Sequence, residues 1–243
     1  MTALLAVFKR EFKGYFGTPV AYVFLVAFLF LAALAAFDNG FFDFREASLR
    51  TFFLDLPLLF ALFAPAIAMR LWSEERRSGT IEFLLTLPIT PTQAVLGKFF
   101  ASWAFFGVAL IFTGSMVWTV EYLGDPDYGP ILTGYLGAFL MAGAYLAVAT
   151  FFSAVTKNQV IAFVLGAVTC LALVYAGYPP LLKTLDGGGF GFLADFAESI
   201  SFNTHFELLQ RGLVETGSLF ALIAISIGFL ASTIVMLQET KAR

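Results

Sequence analysis

Charge, cysteine and histidine are what this chain has least of. Only 13% of its 243 residues are Asp, Glu, Lys or Arg, where a soluble domain carries about a quarter. A water-facing surface of ordinary composition is therefore excluded. The single cysteine, Cys170, rules out an internal disulfide and a thiolate metal cluster. The single histidine, His205, has no cysteine partner, and its neighbour Glu207 reads as the last residue of a helix-capping box, Thr204-His205-Phe206-Glu207. A net charge of −3 offers no basic face for nucleic acid. The phosphate loop G-x-x-x-x-G-K-[ST] is also absent, since Gly97-Lys98 lacks the upstream glycine and is followed by Phe99. This chain does not hold ATP by that route.

Apolar residues fill the space that charge leaves. They make up 60% of the sequence, with 31 phenylalanines, and they fall in runs long enough to cross a bilayer. A crossing helix needs about 20 apolar residues at a rise of about 1.5 Å each. Six such runs are predicted: 19–37, 52–71, 99–120, 131–156, 160–182 and 219–237. Thr18 and Pro19 suit the start of the first. Pro57 and Pro65 predict a kink in the second, and Pro179-Pro180 a break near the end of the fifth. The expected fold is all-α and polytopic, one transmembrane domain over residues 1–243.

The placement of Lys and Arg predicts the orientation. With the amino end in the cytoplasm, Lys9, Arg10, Lys13, Arg70, Arg76, Arg77, Lys98, Lys157, Lys241 and Arg243 fall inside, and Arg45, Arg50, Lys183 and Arg211 outside. Both termini are then cytoplasmic. A competing reading makes the amino end a cleavable signal peptide ending near Ala33-Leu34-Ala35, but the apolar run is longer than such a segment needs. Residues 4–17 read instead as an interfacial helix, with Leu5, Phe8, Phe12 and Phe16 on one face and Lys9 and Lys13 on another. A plain basic flank to the first span is the alternative.

Between spans two and three lies SEERRSGTIEFLLTLPITP, a charged insert in an apolar chain. Ile81, Leu84 and Leu85 recur at helical spacing, and Glu75, Gly79, Glu82 and Thr86 follow on a second face. Pro88 ends that helix, and Thr90-Pro91-Thr92-Gln93 forms a capping box that starts the next. Two readings stay open here. The acidic face docks on a soluble partner, or Glu74 and Glu75 pair with Arg76 and Arg77 in a self-contained turn.

Between spans five and six, residues 183–218 predict short amphipathic helices, with Phe192, Phe196 and Ile200 in one and Phe206, Leu209 and Leu213 in another. Asp186-Gly187-Gly188-Gly189 reads as a flexible joint and Gly212 as a helix terminator. No ionisable residue falls at mid-membrane, so a proton relay has no candidate.

The order Glu75-(x3)-Gly79-Thr80-Ile81-Glu82-(x)-Leu84-Leu85-(x2)-Pro88-Ile89, then Gly97-Lys98, resembles the first cytoplasmic segment of ABC-2 type permeases, the membrane subunits of type V ABC exporters. The gliding-motility-associated permeases are similar over nearly the whole length, from FKREFKGYFGTPVAY through FAPAIAMRLWSEERRSGTIEFLLT to FFSAVTKNQVIAF and SFNTHFELLQRGLV. The resemblance implies a six-span subunit in a bacterial inner membrane, with an amphipathic amino-terminal helix and a coupling helix at residues 74–87. Glu75, Gly79, Thr80, Glu82, Thr86 and Pro88 would serve coupling to ABC ATPase subunits, which bind the ATP and Mg, so that this chain needs no cofactor. Homodimer or heterodimer formation with a related permease, and an auxiliary protein with a large outer domain, are implied too. For Phe206, Leu209 and Leu213, a roof over an exit pathway and a plain outer cap are both open. A non-transporting scaffold and an ATP-independent channel or carrier are the competing functions.

Overall fold

In a computed structural model, residues 3–42, 46–81 and 88–242 are described. Among them are thirteen α-helices: α1 Ala3–Phe16, α2 Pro19–Asp38, α3 Arg50–Leu54, α4 Leu56–Ala68, α5 Arg70–Ser78, α6 Pro91–Phe112, α7 Ser115–Leu123, α8 Tyr128–Val155, α9 Gln159–Tyr175, α10 Pro179–Gly187, α11 Gly191–Ile200, α12 Phe202–Gln210 and α13 Thr216–Ala242. Five helical stretches are long and apolar enough to cross a membrane, or six if the pair α9–α10 counts as one. The chain is a multi-pass membrane protein. We call the end of the bundle that holds α1, the end of α5, the start of α6 and the 156–158 turn proximal, and the opposite end distal.

The centre is α8. Its spanning window is 72% buried, against 17% for α13 and 28% for α2, and it packs on α13, α9, α4, α12, α6 and α5. Small residues put it there, because in lipid close helix approach replaces the hydrophobic drive. A Cβ on Gly134 would stand 2.5 Å from the Phe53 ring, one on Gly137 2.8 Å from Leu209, and one on Gly143 3.0 Å from Trp103. Phe28, Phe60, Phe105, Phe106, Tyr145 and Phe202 fill the surrounding core, with edge-to-face pairs such as Tyr145–Phe202 at 4.6 Å and Phe60–Phe106 at 4.8 Å.

Several expected boundaries move. The second span starts at Leu56, because the chain breaks at Asp55 and Pro57 falls in the first turn of α4. Pro65 stays inside α4, and the interruption comes four residues later at Met69. The third crossing reaches from Pro91 to Leu123. The fifth ends at Tyr175, and Pro179-Pro180 begin α10 after a bend of 71° rather than breaking a helix. Thr18 precedes α2 without capping it by its side chain and instead donates back to Tyr15 O at 3.2 Å.

At the distal end, α12 inserts into the bundle with Phe202, Phe206 and Leu209 buried. It starts three residues earlier than the Thr204 box predicts. Ser201 is the cap and accepts from Thr204 N–H, which leaves Glu207 to pair with Arg211. The Asp186–Gly189 run is a helix end: Gly188 caps α10 and Gly189 takes a positive φ of 78°. Gly212 turns the chain at φ 86° as expected, so Leu213 lies beyond α12 and is exposed.

The joint between α9 and α10 presses on this insertion. A Cβ on Gly177 would lie 2.5 Å from Ser201 Oγ and against the Thr204 hydroxyl. Gly177→Ala is therefore expected to lower stability by about 1–3 kcal/mol through overpacking. Gly187→Ala, which meets nothing within 4 Å, should stay within about 0.5 kcal/mol. Thermal unfolding in detergent compares the two.

Candidate functional site at the proximal end

The proximal end is built around one buried ammonium. Lys98 lies two turns into α6, after a complete capping box in which Thr90 accepts from Gln93 N–H at 3.2 Å and Gln93 accepts from Thr90 N–H at 3.1 Å. Its side chain is 4% exposed. A Lys ammonium has three donors, and three acceptors surround this one: Leu71 O at 2.9 Å, Glu75 Oε1 at 2.8 Å and Glu11 Oε1 at 3.4 Å. The Trp72 ring lies 5.2 Å from it, close enough for a cation–π contribution. Arg10 reaches Glu11 at 2.7 Å and Glu75 at 4.0 Å. Two carboxylates and two cations thus close a neutral cluster that joins α1, α5 and α6.

A second clamp comes from α8. The interruption at Met69 frees the first N–H groups of α5, which no residue of α5 itself caps. Ser153 of α8 accepts from Trp72 N–H at 3.1 Å and Ser73 N–H at 3.2 Å and donates to Met69 O at 3.0 Å. All three capacities of its hydroxyl are used. The Ser73 hydroxyl also donates to Met69 O.

Helix α1 docks on α6 through a line of residues beside the predicted apolar stripe, with Phe16 of that stripe also edge-on to Phe105. Val7 is buried and packs where a Cβ on Gly97 would come within 2.8 Å of it. Glu11 and Tyr15 continue that line at four-residue spacing, and Tyr15 stacks on Phe105 at 4.8 Å. Leu5 is exposed, while Phe8, Phe12 and Phe16 are half-buried. Burial pushes the Glu11 carboxyl up, but Lys98 and Arg10 beside it prevail and hold it below the ordinary value.

Of the expected coupling residues, Gly79 ends α5 in the left-handed conformation, φ 73°. Glu75 therefore belongs to the helix of the second span, which ends at Gly79. It points inward to Lys98, across elements, instead of pairing with Arg76 or Arg77 in a local turn. Thr80 and Ile81 are helical again, with Ile81 buried and the Thr80 hydroxyl 2.8 Å from that of Ser78. Pro88 is exposed just before the Thr90 cap. Glu82 and Thr86, with the rest of 82–87, lie outside the described residues. A cleft of about 490 Å³ beside the cluster is lined by residues that include Arg10, Arg70, Glu74 and Glu75.

The distal candidates divide. Phe206 and Leu209 are buried together on α12, with Phe206 edge-on to Phe53 at 6.2 Å, and Leu213 stands apart. His205 bonds Ser218 Oγ at 3.3 Å and Ser199 O at 2.9 Å, which ties α12 to the chain on either side. Among the described residues no group of three or more His, Cys, Asp or Glu could hold a metal.

Sequence reading missed Lys98, Glu11 and Ser153. The signal for Lys98 was a lone charge within Val95-Leu96-Gly97-Lys98-Phe99-Phe100, a context in which a cation needs partners from other helices.

A profile of the ABC-2 family transporter proteins matches residues 39–237, most of the chain. No curated protein matches it.

Among the described residues, removing the ammonium leaves Glu75 with only the 4.0 Å contact to Arg10 and takes one of two cations from Glu11. Lys98→Met is expected to cost about 3–5 kcal/mol, and adding Glu75→Met should recover part of that loss in thermal unfolding. Because Glu11 is more acidic folded than its reference value of 4.5, its contribution is whole above that pH and is lost as pH falls through the lowered folded value. Hydrogen exchange of α1 should rise across that acid window and not at neutral pH.

Proposed function

Since the chain belongs to the ABC-2 family transporter proteins, we propose that it couples a separate ATPase to a transport pathway through the segment between α5 and α6. ABC-2 permeases generally work with ABC ATPase subunits, and this chain is a permease subunit of that kind. On our reading the proximal end is cytoplasmic, as the excess of Lys and Arg there favours. ATP and Mg are bound by the partner. Residues 80–87 form the docking element, with Glu82 and Thr86 as its contacts, Gly79 and Pro88 as its two ends, and Thr80 at its root.

The observation that carries this reading is the double clamp just upstream. Helix α5 is fixed at its first turn to α8 by Ser153 and, through Leu71 O and Glu75, to α6 by Lys98, with Glu11 of α1 on the same ammonium, so a push on the segment that follows this short helix is passed to three helices at once rather than absorbed by a loop. Glu75 is then a strut inside the permease and not a contact with the ATPase. We read the buried α12 residues Phe206 and Leu209 as closing the distal end. The exposed apolar faces of α2 and α13 suit lipid or a second permease copy.

Co-purification separates strut from contact. Glu82→Lys and Thr86→Lys should release the ATPase subunit while the permease keeps its melting temperature. Glu75→Gln should retain the ATPase and lower the melting temperature. If Glu75→Gln releases the ATPase with no change in melting, Glu75 is itself a contact and the strut assignment is wrong.

A further inference from the structure

Where the chain crosses the distal end between α2 and α4, it leaves a pocket of about 310 Å³ lined by Phe41, Glu46, Ser48, Arg50, Thr51 and Leu54. That volume falls in the range of small-ligand sites, roughly 300–1,000 Å³. The frame is fixed: the Asn39 amide donates to Asp55 and to Ala35 O at 3.0 Å, which ties the end of α2 to the α3–α4 joint. Ser48 Oγ accepts from Arg50 N–H at 3.2 Å, and Phe41 is buried.

Two opposite charges share this pocket without meeting. Among the described residues, neither Glu46 nor Arg50 forms an ion pair. A guanidinium is suited to phosphate or carboxylate through paired N–H donors, and a carboxylate accepts from an ammonium. An anionic ligand alone would face Glu46, and a cationic one Arg50. A group that carries both charges answers both. From Leu54 the apolar wall continues along α4 through Leu58 and Leu62, spaced four apart and 44–48% exposed, so an apolar strip runs from the pocket down a membrane-crossing helix.

We propose that this pocket binds the headgroup of a zwitterionic amphiphile, with its phosphate or carboxylate on Arg50, its ammonium on Glu46 and its chain along Leu54, Leu58 and Leu62. The site goes beyond the coupling function and rests on the pocket alone.

The full chain in nanodiscs of equal phosphatidylethanolamine and phosphatidylglycerol, read by native mass spectrometry, tests it without any ATPase. Wild type should retain phosphatidylethanolamine about tenfold over phosphatidylglycerol. Arg50→Gln should lose that retention about tenfold, Glu46→Gln should bring phosphatidylglycerol to parity, and Leu58→Gln should weaken retention of the lipid. Millimolar phosphoethanolamine, the headgroup without a chain, should fail to displace it. Equal retention of the two lipids by wild type overturns the proposal. So does an unchanged preference in both charge variants when their melting matches wild type. Displacement by phosphoethanolamine with no effect of Leu58→Gln would make the ligand a small soluble zwitterion and overturn the amphiphile. None of these results bears on ATPase coupling, which stands or falls on co-purification.

Discussion

An ammonium taken out of water costs several kcal/mol unless acceptors close around it, and at the proximal end of this bundle the acceptors for Lys98 come from two other helices. Glu11 rides on α1, and Glu75 and Leu71 O belong to α5. None of the three elements can shift alone without leaving a buried charge unanswered. Such a cluster is weak evidence of added stability, since an apolar set of similar volume often does as well. What it does fix is register. The first turns of α6, helix α5 and helix α1 must keep one mutual arrangement, and Ser153 extends that arrangement from the start of α5 to the central α8.

The two ends of the molecule are held by different physics. At the distal end the contacts are steric: Phe206 and Leu209 enter the bundle because Gly137 leaves room for them, and Gly177 lets the α9–α10 joint lie against Ser201. Such packing is short-ranged and, with the His205 hydrogen bonds to Ser199 O and Ser218 Oγ, holds α12 without a buried ion pair among the described residues. The two ends therefore differ in how they resist displacement, the proximal one by paired buried charge and the distal one by packing and hydrogen bonds.

How much of this the sequence discloses follows from range. The Thr90 capping box, the Gly212 turn and a helix near the amino end are local and are found where capping chemistry and periodicity place them, and the apolar runs give helices of spanning length although several of their ends move. Errors arise where a residue's partner lies far along the chain. Glu75 reads as a carboxylate for a partner until Lys98, 23 positions on, claims it inside the bundle. The apolar stripe of α1 suggests a lipid face, but its buried line runs through Val7, Glu11 and Tyr15 because Gly97 admits Val7. Ser201 displaces Thr204 as a cap, a choice between hydroxyls three residues apart that periodicity does not resolve.

The central claim is that α1, α5 and α6 move as one body when the ATPase turns over. Spin labels at Lys13 and Ser78, both exposed, in a Cys170→Ala background report the distance between α1 and the end of α5. In the complex with ATPase subunits, pulsed dipolar measurements should give the same distance distribution without nucleotide, with trapped ATP and after hydrolysis. A distribution that shifts between those states, while the complex remains assembled and active, would show that the Lys98 cluster opens during the cycle and would contradict the rigid clamp.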